Sequence, residues 1–221
     1  MVGHRLNCLG KTINKMLITL DQIVQRYHPT INGVIHIGAH WGQEYPDYVR
    51  HGIKNMMFFE PVPVTFAKLV EHLPKEHPGV ALYNLALGNF TGKKVMNLET
   101  ENKGQSSSFL EPEYHLKMSP EIIFHTKQEM DMDKLDNIEF DRSLYNMINI
   151  DVQGYELEVF KGSVKTLETI DIVYAEVNFV HVYKDCVLVD ELDEFLKKFG
   201  FVRILTNYSP KNWGDALYLK Y

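Results

Sequence analysis

Five short, mostly apolar runs, 34–37, 56–59, 80–82, 147–150 and 172–175, recur along the chain with helical segments such as 64–73 and 156–167 between them. They show little of the in-out alternation that marks a strand with one wet face, so each reads as a strand buried on both sides. Strands of that kind alternating with helices demand a mostly parallel sheet with helices on both faces, an α/β fold. After residue 188 the rhythm changes to helix (189–198), strand (202–206) and strand (216–219), with Asn212-Trp213-Gly214-Asp215 as the turn into the last, which suggests one antiparallel strand closing the sheet. Upstream, Ile13, Met16, Leu17, Leu20, Ile23, Val24 and Tyr27 repeat at helical spacing as far as Pro29. The expected organisation is a helical extension over 1–30 and a single domain over 31–221, a size one hydrophobic core can fill.

The stretch 91–141 interrupts the pattern with Gly92, Gly104, the run Ser106-Ser107-Ser108 and scattered charges. It reads as an insertion of short strands and loops over one end of the sheet, and long connections of this kind usually serve as lids or binding loops. Within it the serine run has the composition of a flexible loop. The 23 basic and 29 acidic side chains leave a formal charge of −6, which lacks the basic footprint of a nucleic-acid binder. Cys8 and Cys186 stand in unrelated contexts, without disulfide or zinc spacing. No run approaches the roughly 18 apolar residues that span a bilayer, so a reducing, cytoplasmic setting fits.

The first strand runs into "VIHIGAHWGQE", with Gly38 and Gly42 on a turn at the carboxyl end of the strand and a helix start reading after it. Ligands of open parallel sheets bind at that end. A glycine turn lets a ligand approach the backbone, and a following helix N-terminus would offer N–H groups to something partly anionic. Glu60 ends the second strand 22 residues after Gly38, close to the spacing of about 20 expected for a carboxylate that grips ribose hydroxyls. A nucleoside-bearing cofactor is the natural inference. His40 takes the position where a dinucleotide site wants its middle glycine, so a pyrophosphate would be crowded; S-adenosylmethionine carries no phosphate. A strand–turn–helix needing glycine for geometry alone is the plainer alternative.

"VIHIGAHWGQE", "FFEPVPVTFAKL", "NLALGNFTG", "QSSSF", "INIDVQGYELEVFKG" and "VYAEVN" come in an order and spacing that resembles the FkbM family of S-adenosylmethionine-dependent methyltransferases. The resemblance runs from about Val34 to Leu219. It implies a Rossmann-like fold with a seven-stranded, mostly parallel sheet, and methyl transfer to an oxygen, commonly a hydroxyl of a sugar in a glycan or glycosylated metabolite. Gly38, Ala39, His40, Gly42, Glu44, Glu60, Pro61, Ala86, Leu87 and Ser107 are the cofactor-binding residues it points to, with Ala86 and Leu87 beside the adenine. The sequence departs from the family pattern at His36, His40 and Gln153, where Asp, Asn and Glu are more usual. His36, inside a strand, reads as a buried histidine with a partner.

Methyl transfer to a hydroxyl needs aligned reactants and a group that takes the proton. Asp151 ends the fourth strand and Glu176 the fifth, and sequential strands commonly pair, so the two carboxylates should be neighbours. Asp151 is the candidate base or relay, with Glu176 or His181 orienting the acceptor, and Asn178 and Trp213 are candidates for binding a sugar. A pair that holds a divalent cation such as magnesium is an alternative, and Asp151 also fits as a cap for the helix near Gly154. Two other functions stay open on sequence grounds, an NAD-dependent oxidoreductase and a non-catalytic cofactor-binding module.

Overall fold

The computed structural model describes residues 18–74 and 78–221. Cys8 and the first three apolar positions of the opening helix lie outside them. In chain order the elements are α1 (Leu20–Tyr27), β1 (Gly33–Ile37), α2 (Tyr45–Arg50), β2 (Asn55–Phe59), α3 (Pro63–His72), β3 (Val80–Tyr83), β4 (Ala86–Leu87), β5 (Gly92–Glu99), α4 (His115–Met118), β6 (Phe124–Asp133), β7 (Met147–Ile150), α5 (Glu156–Lys161), α6 (Val164–Leu167), β8 (Ile172–Asn178), α7 (Val189–Lys197), β9 (Phe201–Tyr208) and β10 (Trp213–Lys220). Thr19 and Gln22 form a capping box at the start of α1, and His28 ends it in the left-handed conformation just before Pro29. The single helix expected over 156–167 is two, broken at Gly162, where a Cβ would meet the Gly88 carbonyl at 1.9 Å.

The main sheet has seven strands in the order β3-β2-β1-β7-β8-β10-β9, parallel from β3 to β8. β10 is antiparallel to both neighbours and lies between β8 and β9, so it does not close the sheet as expected; β9 forms that edge. Buried side chains sort by parity onto two faces. Ile35, Ile37, Met57, Phe59, Ile148, Ile150 and Val173 pack with Val159, Phe160, Leu167, Leu192 and Leu196 of α5, α6 and α7. Val34, Met56, Phe58, Met147, Ile172 and Leu217 pack with Leu20, Ile23, Tyr48 and Leu69 of α1, α2 and α3. This is the period-2 signature of strands covered on both sides.

The segment 91–141 is more ordered than its composition suggests. β5 and β6 pair over eight and ten residues, and β4 joins them as a second, three-stranded sheet. Its loops are tied to the connection after β8, through Pro112 paired with Tyr183, His115 N–H on the Val182 carbonyl (2.9 Å) and Lys184 N–H on the Glu111 carbonyl (2.9 Å). The serine run is buried and bonded: Ser108 Oγ donates to the Gln153 carbonyl (2.7 Å), Ser107 Oγ accepts from Glu99 N–H (3.2 Å), and the Ser106 carbonyl accepts from the Tyr183 hydroxyl (2.9 Å). Among the described residues, no helix is long and apolar enough to cross a membrane.

Candidate active site

On the α1–α3 face of the sheet, successive rows of in-register residues change character towards the carboxyl ends of the parallel strands. One row is aliphatic: Met56, Val34, Met147 and Ile172. The next is Phe58, His36, Asn149 and Tyr174. The row after that, one step beyond the last parallel pairs, brings together Glu60, Gly38, Asp151 and Glu176, and the antiparallel β10 adds Asp215 directly opposite Glu176. Side chains two residues apart in a strand share a face, so four strands place carboxyl groups side by side around a glycine. A cavity opens over this row, lined also by Glu44, Ala86, Leu87, Phe109, Gln153 and Trp213.

Gly38 is the gap in the row because nothing larger fits. Its φ is +80°, and a Cβ there would lie 1.9 Å from the carbonyl oxygen of Asp151. Gly42, expected to cradle a ligand, does not line the cavity; its φ is +72° and a Cβ would press on Leu69 and Leu73, so it serves the packing of α3. The turn also keeps its N–H groups for itself. Those of Gly38 and Ala39 donate to the Phe59 carbonyl (3.0 and 2.9 Å), His40 to Glu60 Oε2 (3.0 Å), Trp41 to Gln43 Oε1 (3.2 Å) and Gly42 to the Ala39 carbonyl (2.8 Å). The helix after the turn, α2, has only six residues. The expected anion cradle is therefore absent from residues 38–42: these donors hold the turn and the ribose-gripping candidate in place.

Glu60 accepts from His40 N–H on one oxygen and from Val62 N–H (2.8 Å) on the other, and burial pushes its carboxyl up to about 7. Glu44 is pushed to about 7 by burial, with the Asp151 charge adding to it. The His40 ring accepts from Gln43 Nε2 at Nδ1 (2.7 Å) and donates from Nε2 to the Lys103 carbonyl (2.9 Å), which ties the turn to the insertion. His36 bonds Tyr48 (3.3 Å), which accepts from Asn149 (2.6 Å), and burial drops the imidazole to about 3, so it is a neutral structural histidine as expected.

Asp151 and Glu176 are bridged by one side chain: Gln153 Nε2 donates to Asp151 Oδ1 (2.6 Å) and Glu176 Oε2 (3.1 Å), while its Oε1 shares the one proton of the Tyr183 hydroxyl (2.9 Å) with the Ser106 carbonyl. Burial raises both carboxyls, and Glu176 rises further because Asp151, Glu156 and Asp215 add like charge. One proton shared by the pair, held on Glu176 and donated to Asp151, satisfies this geometry. Asp151 is not a helix cap, since α5 starts only at Glu156 and has no side-chain cap. Instead Glu156 organises the loop, its Oε1 accepting from Val152 and Gly154 N–H (both 3.1 Å).

Glu156 is 0% exposed, its Oε2 has no partner among the described residues, and burial lifts its carboxyl from 4.5 to about 7. A raised acid favours the folded state below its ordinary value and loses that contribution as pH rises through about 7. Glu156→Gln, which keeps the accepting oxygen, should therefore be more stable than the parent at pH 8 by on the order of 3 kcal/mol, with the gap closing towards pH 5. Thermal unfolding of both proteins across that range checks it.

Of the other candidates, Ala39, His40, Glu44, Pro61, Ala86, Leu87, Ser107 and Trp213 line the cavity. His181 does not, contrary to the catalytic place expected for it: it is exposed, and its Nδ1 is bound to the Cys186 carbonyl (3.0 Å). Asn178 is buried on β8 beside the cavity rather than in its lining. Sequence reasoning missed Gln153, Glu156, Tyr174 and Asp215 as site-forming residues. The first two lie within "INIDVQGYE", and the last two are polar residues in otherwise apolar strands. Among the described residues, no group of three or more His, Cys, Asp or Glu is arranged to hold a metal ion.

A family model described as the Methyltransferase FkbM domain matches residues 36–203. No curated protein matches the chain at significant similarity. Among solved structures, the chain is similar to a ribosomal protein L11 methylase from Lactobacillus delbrueckii subsp. bulgaricus (10% identity, TM-score 0.50, covering 90% of this chain and 75% of that one). It is also similar to a magnesium protoporphyrin IX methyltransferase from Synechocystis PCC 6803 with bound SAM (7%, 0.51, 90% and 74%). A third is a protein of the NADB-Rossmann superfamily from Streptococcus agalactiae (11%, 0.51, 90% and 66%). At these identities the likeness is one of fold.

Proposed function

The chain belongs to the FkbM methyltransferase family, and from that premise we propose that it transfers a methyl group from S-adenosylmethionine to a hydroxyl of a sugar in a glycan or glycosylated metabolite. The observation that carries the donor is the charge of the cavity: among the described residues, five carboxyl side chains line it, from Glu44, Glu60, Asp151, Glu176 and Asp215, with no lysine or arginine. Such a lining fits a cationic sulfonium and opposes a pyrophosphate, and the N–H groups of residues 38–42 are already engaged. Glu60, fixed by two backbone donors, retains lone pairs for ribose hydroxyls. Ala86 and Leu87 supply the apolar wall expected beside adenine.

Bound there, the donor supplies an electrophilic methyl group. Asp151 accepts a hydrogen bond from the acceptor hydroxyl and takes its proton as the oxygen gains the methyl. Glu176 supports this by holding the neighbouring proton, and Gln153 fixes the spacing of the pair through both contacts of its amide. Gly104, Gln105 and Ser107 bring the insertion into the lining of the same cavity.

Titration calorimetry with S-adenosylhomocysteine and, separately, NAD tests the donor assignment. Binding of the first alone is expected, weakened roughly 10- to 100-fold in Glu60→Ala, as for loss of charged hydrogen bonds. Because Glu60 titrates near 7 and the ionised carboxylate is the better acceptor, affinity should rise from pH 6 to pH 8 and lose that slope in Glu60→Gln. Binding of NAD in place of S-adenosylhomocysteine would defeat the assignment.

A further inference from the structure

Tyr183 lies on the loop after β8, buried and outside the lining of the cavity, yet only Gln153 separates it from the carboxyl pair. Its hydroxyl is 2.9 Å from two acceptors, Gln153 Oε1 and the Ser106 carbonyl, and has one proton for both. Burial, with Glu176, Asp151 and Glu99 nearby, holds the phenol well above the ordinary tyrosine range, so that proton stays. Gln153 is fixed through its backbone, with φ +55° and its carbonyl accepting from Ser108 Oγ (2.7 Å). What remains to be set is the direction of its amide, a donor at one end and an acceptor at the other. With Nε2 on Asp151 Oδ1 and Glu176 Oε2, the amide matches a pair that holds one proton. It does not match a pair that holds two, because a protonated Asp151 Oδ1 is then a donor facing a donor.

We infer that Tyr183 and Gln153 form a relay that turns over when Asp151 takes the acceptor's proton. The amide rotates to accept from Asp151 at Oε1 and to donate from Nε2 to the Tyr183 oxygen, and the hydroxyl swings its proton from Gln153 to the Ser106 carbonyl. The inference rests on the reading of Asp151 as the base and deepens it. The acceptor's proton ends on Asp151, Tyr183 keeps its own, and the sulfur keeps the electron pair of the broken C–S bond. Tyr183 stands outside the cavity and acts through Gln153, as a positioning residue. Both states of the pair are then fully bonded, which accounts for a buried hydroxyl with two acceptors. The titratable groups facing the pair are Glu44, Glu60, Glu156, Tyr174 and Asp215, and Glu99 and the His115 ring (5.4 Å) face Tyr183. All of them are kept in the variants compared below, so the differences between variants isolate the relay.

The test is a pH titration of the side-chain carboxyl carbons in the full chain, isotope-labelled at Asp and Glu and followed by NMR, with Asp151→Asn and Glu176→Gln assigning the pair. Tyr183→Phe keeps the ring and removes the hydroxyl. The relay then loses two contacts when the pair holds two protons and one when it holds a single proton. The midpoint for uptake of the second proton should therefore fall by about 0.5–1 pH unit, the net contribution of one neutral hydrogen bond. In a Gln153→Met background the same change should leave the midpoint in place, because Tyr183 reaches the pair only through the amide. A rise in Tyr183→Phe would show that the hydroxyl merely clamps the amide onto the ionised pair. An equal shift with and without Gln153 would show direct action on the carboxyls. Either result, or no shift at all, overturns the relay. If Tyr183→Phe fails to fold, the parent decides: the Gln153 side-chain amide and the hydroxyl-bearing ring carbon of Tyr183 should both move with the carboxyl midpoint, and a Tyr183 signal that stays fixed overturns the relay. The titration needs neither donor nor acceptor. Failure of the parent to bind S-adenosylhomocysteine would therefore remove the methyltransferase reading of the site, while the titration still decides the relay.

Discussion

Asp151→Asn should lower methyl transfer by roughly 10²- to 10⁴-fold, the range for loss of a positioned general base, while the affinity for S-adenosylhomocysteine changes by no more than a few-fold. The asparagine keeps the size of the side chain and an oxygen for Gln153 Nε2, so the bridge to Glu176 can persist. It cannot take a proton. The pH profile separates this from a merely structural effect: burial raises Asp151, so kcat of the parent should climb with pH as the carboxyl ionises, and the residual activity of the variant should not. A variant retaining more than about a tenth of kcat would place the base elsewhere, with Glu176 the neighbour to change next.

Gly38→Ala is the second change with a large expected effect, and it acts on both the fold and the site. The new methyl group would lie 1.9 Å from the Asp151 carbonyl oxygen, at a φ of +80°. Either the backbone of β1 and β7 moves apart or the turn is rebuilt. The left-handed conformation costs about 1 kcal/mol in a non-glycine residue, and a backbone clash adds about 1–3 kcal/mol more. Together these should lower the melting temperature by roughly 5–15 °C for a domain of this size and displace Asp151 enough to cost further activity. Gly52 is the internal control, since its φ is +73° but no atom lies within 4 Å of its added Cβ. Gly52→Ala should show the conformational cost alone. Equal losses in the two variants would show that contact between β1 and β7 is not what requires glycine at 38.

The strands that build the site are legible in the sequence because burial on both faces writes itself as apolar runs. Glu60, Asp151 and Glu176 are legible with them because each interrupts or ends such a run, and parallel strands in register then align the carboxyls without further information. Asp215 is not. In "NWGDAL" nothing local separates a turn from a strand start; only pairing with β8 as far as Asn178 makes Trp213 the first strand residue and sets Asp215 against Glu176. Gly42 looks like a ligand contact because glycine spacing is blind to what the missing Cβ makes room for, here two leucines, Leu69 of α3 and Leu73 just past its end. The serine run looks flexible because its partners, Glu99, Gln153 and Tyr183, are distant or unremarkable in sequence. His181 looks catalytic because a residue just beyond a strand end can turn either towards a cleft or out to solvent, and the carbonyl of Cys186 decides it.

β10 comes after β9 in the chain but separates β9 from β8 in the sheet. A polypeptide emerging from the ribosome can therefore assemble β1, β2, β3, β7 and β8, with Glu60, Asp151 and Glu176 of the cavity, before the wall that carries Trp213 and Asp215 exists. Until β10 is made, β8 presents an unpaired edge and β9 has no strand to pair with, a combination that invites pairing with other chains. Insertion of this one strand closes the exposed edge, docks β9 and brings Trp213 and Asp215 to the cavity together, so completion of the cavity lining and protection from aggregation are acquired in the same late event.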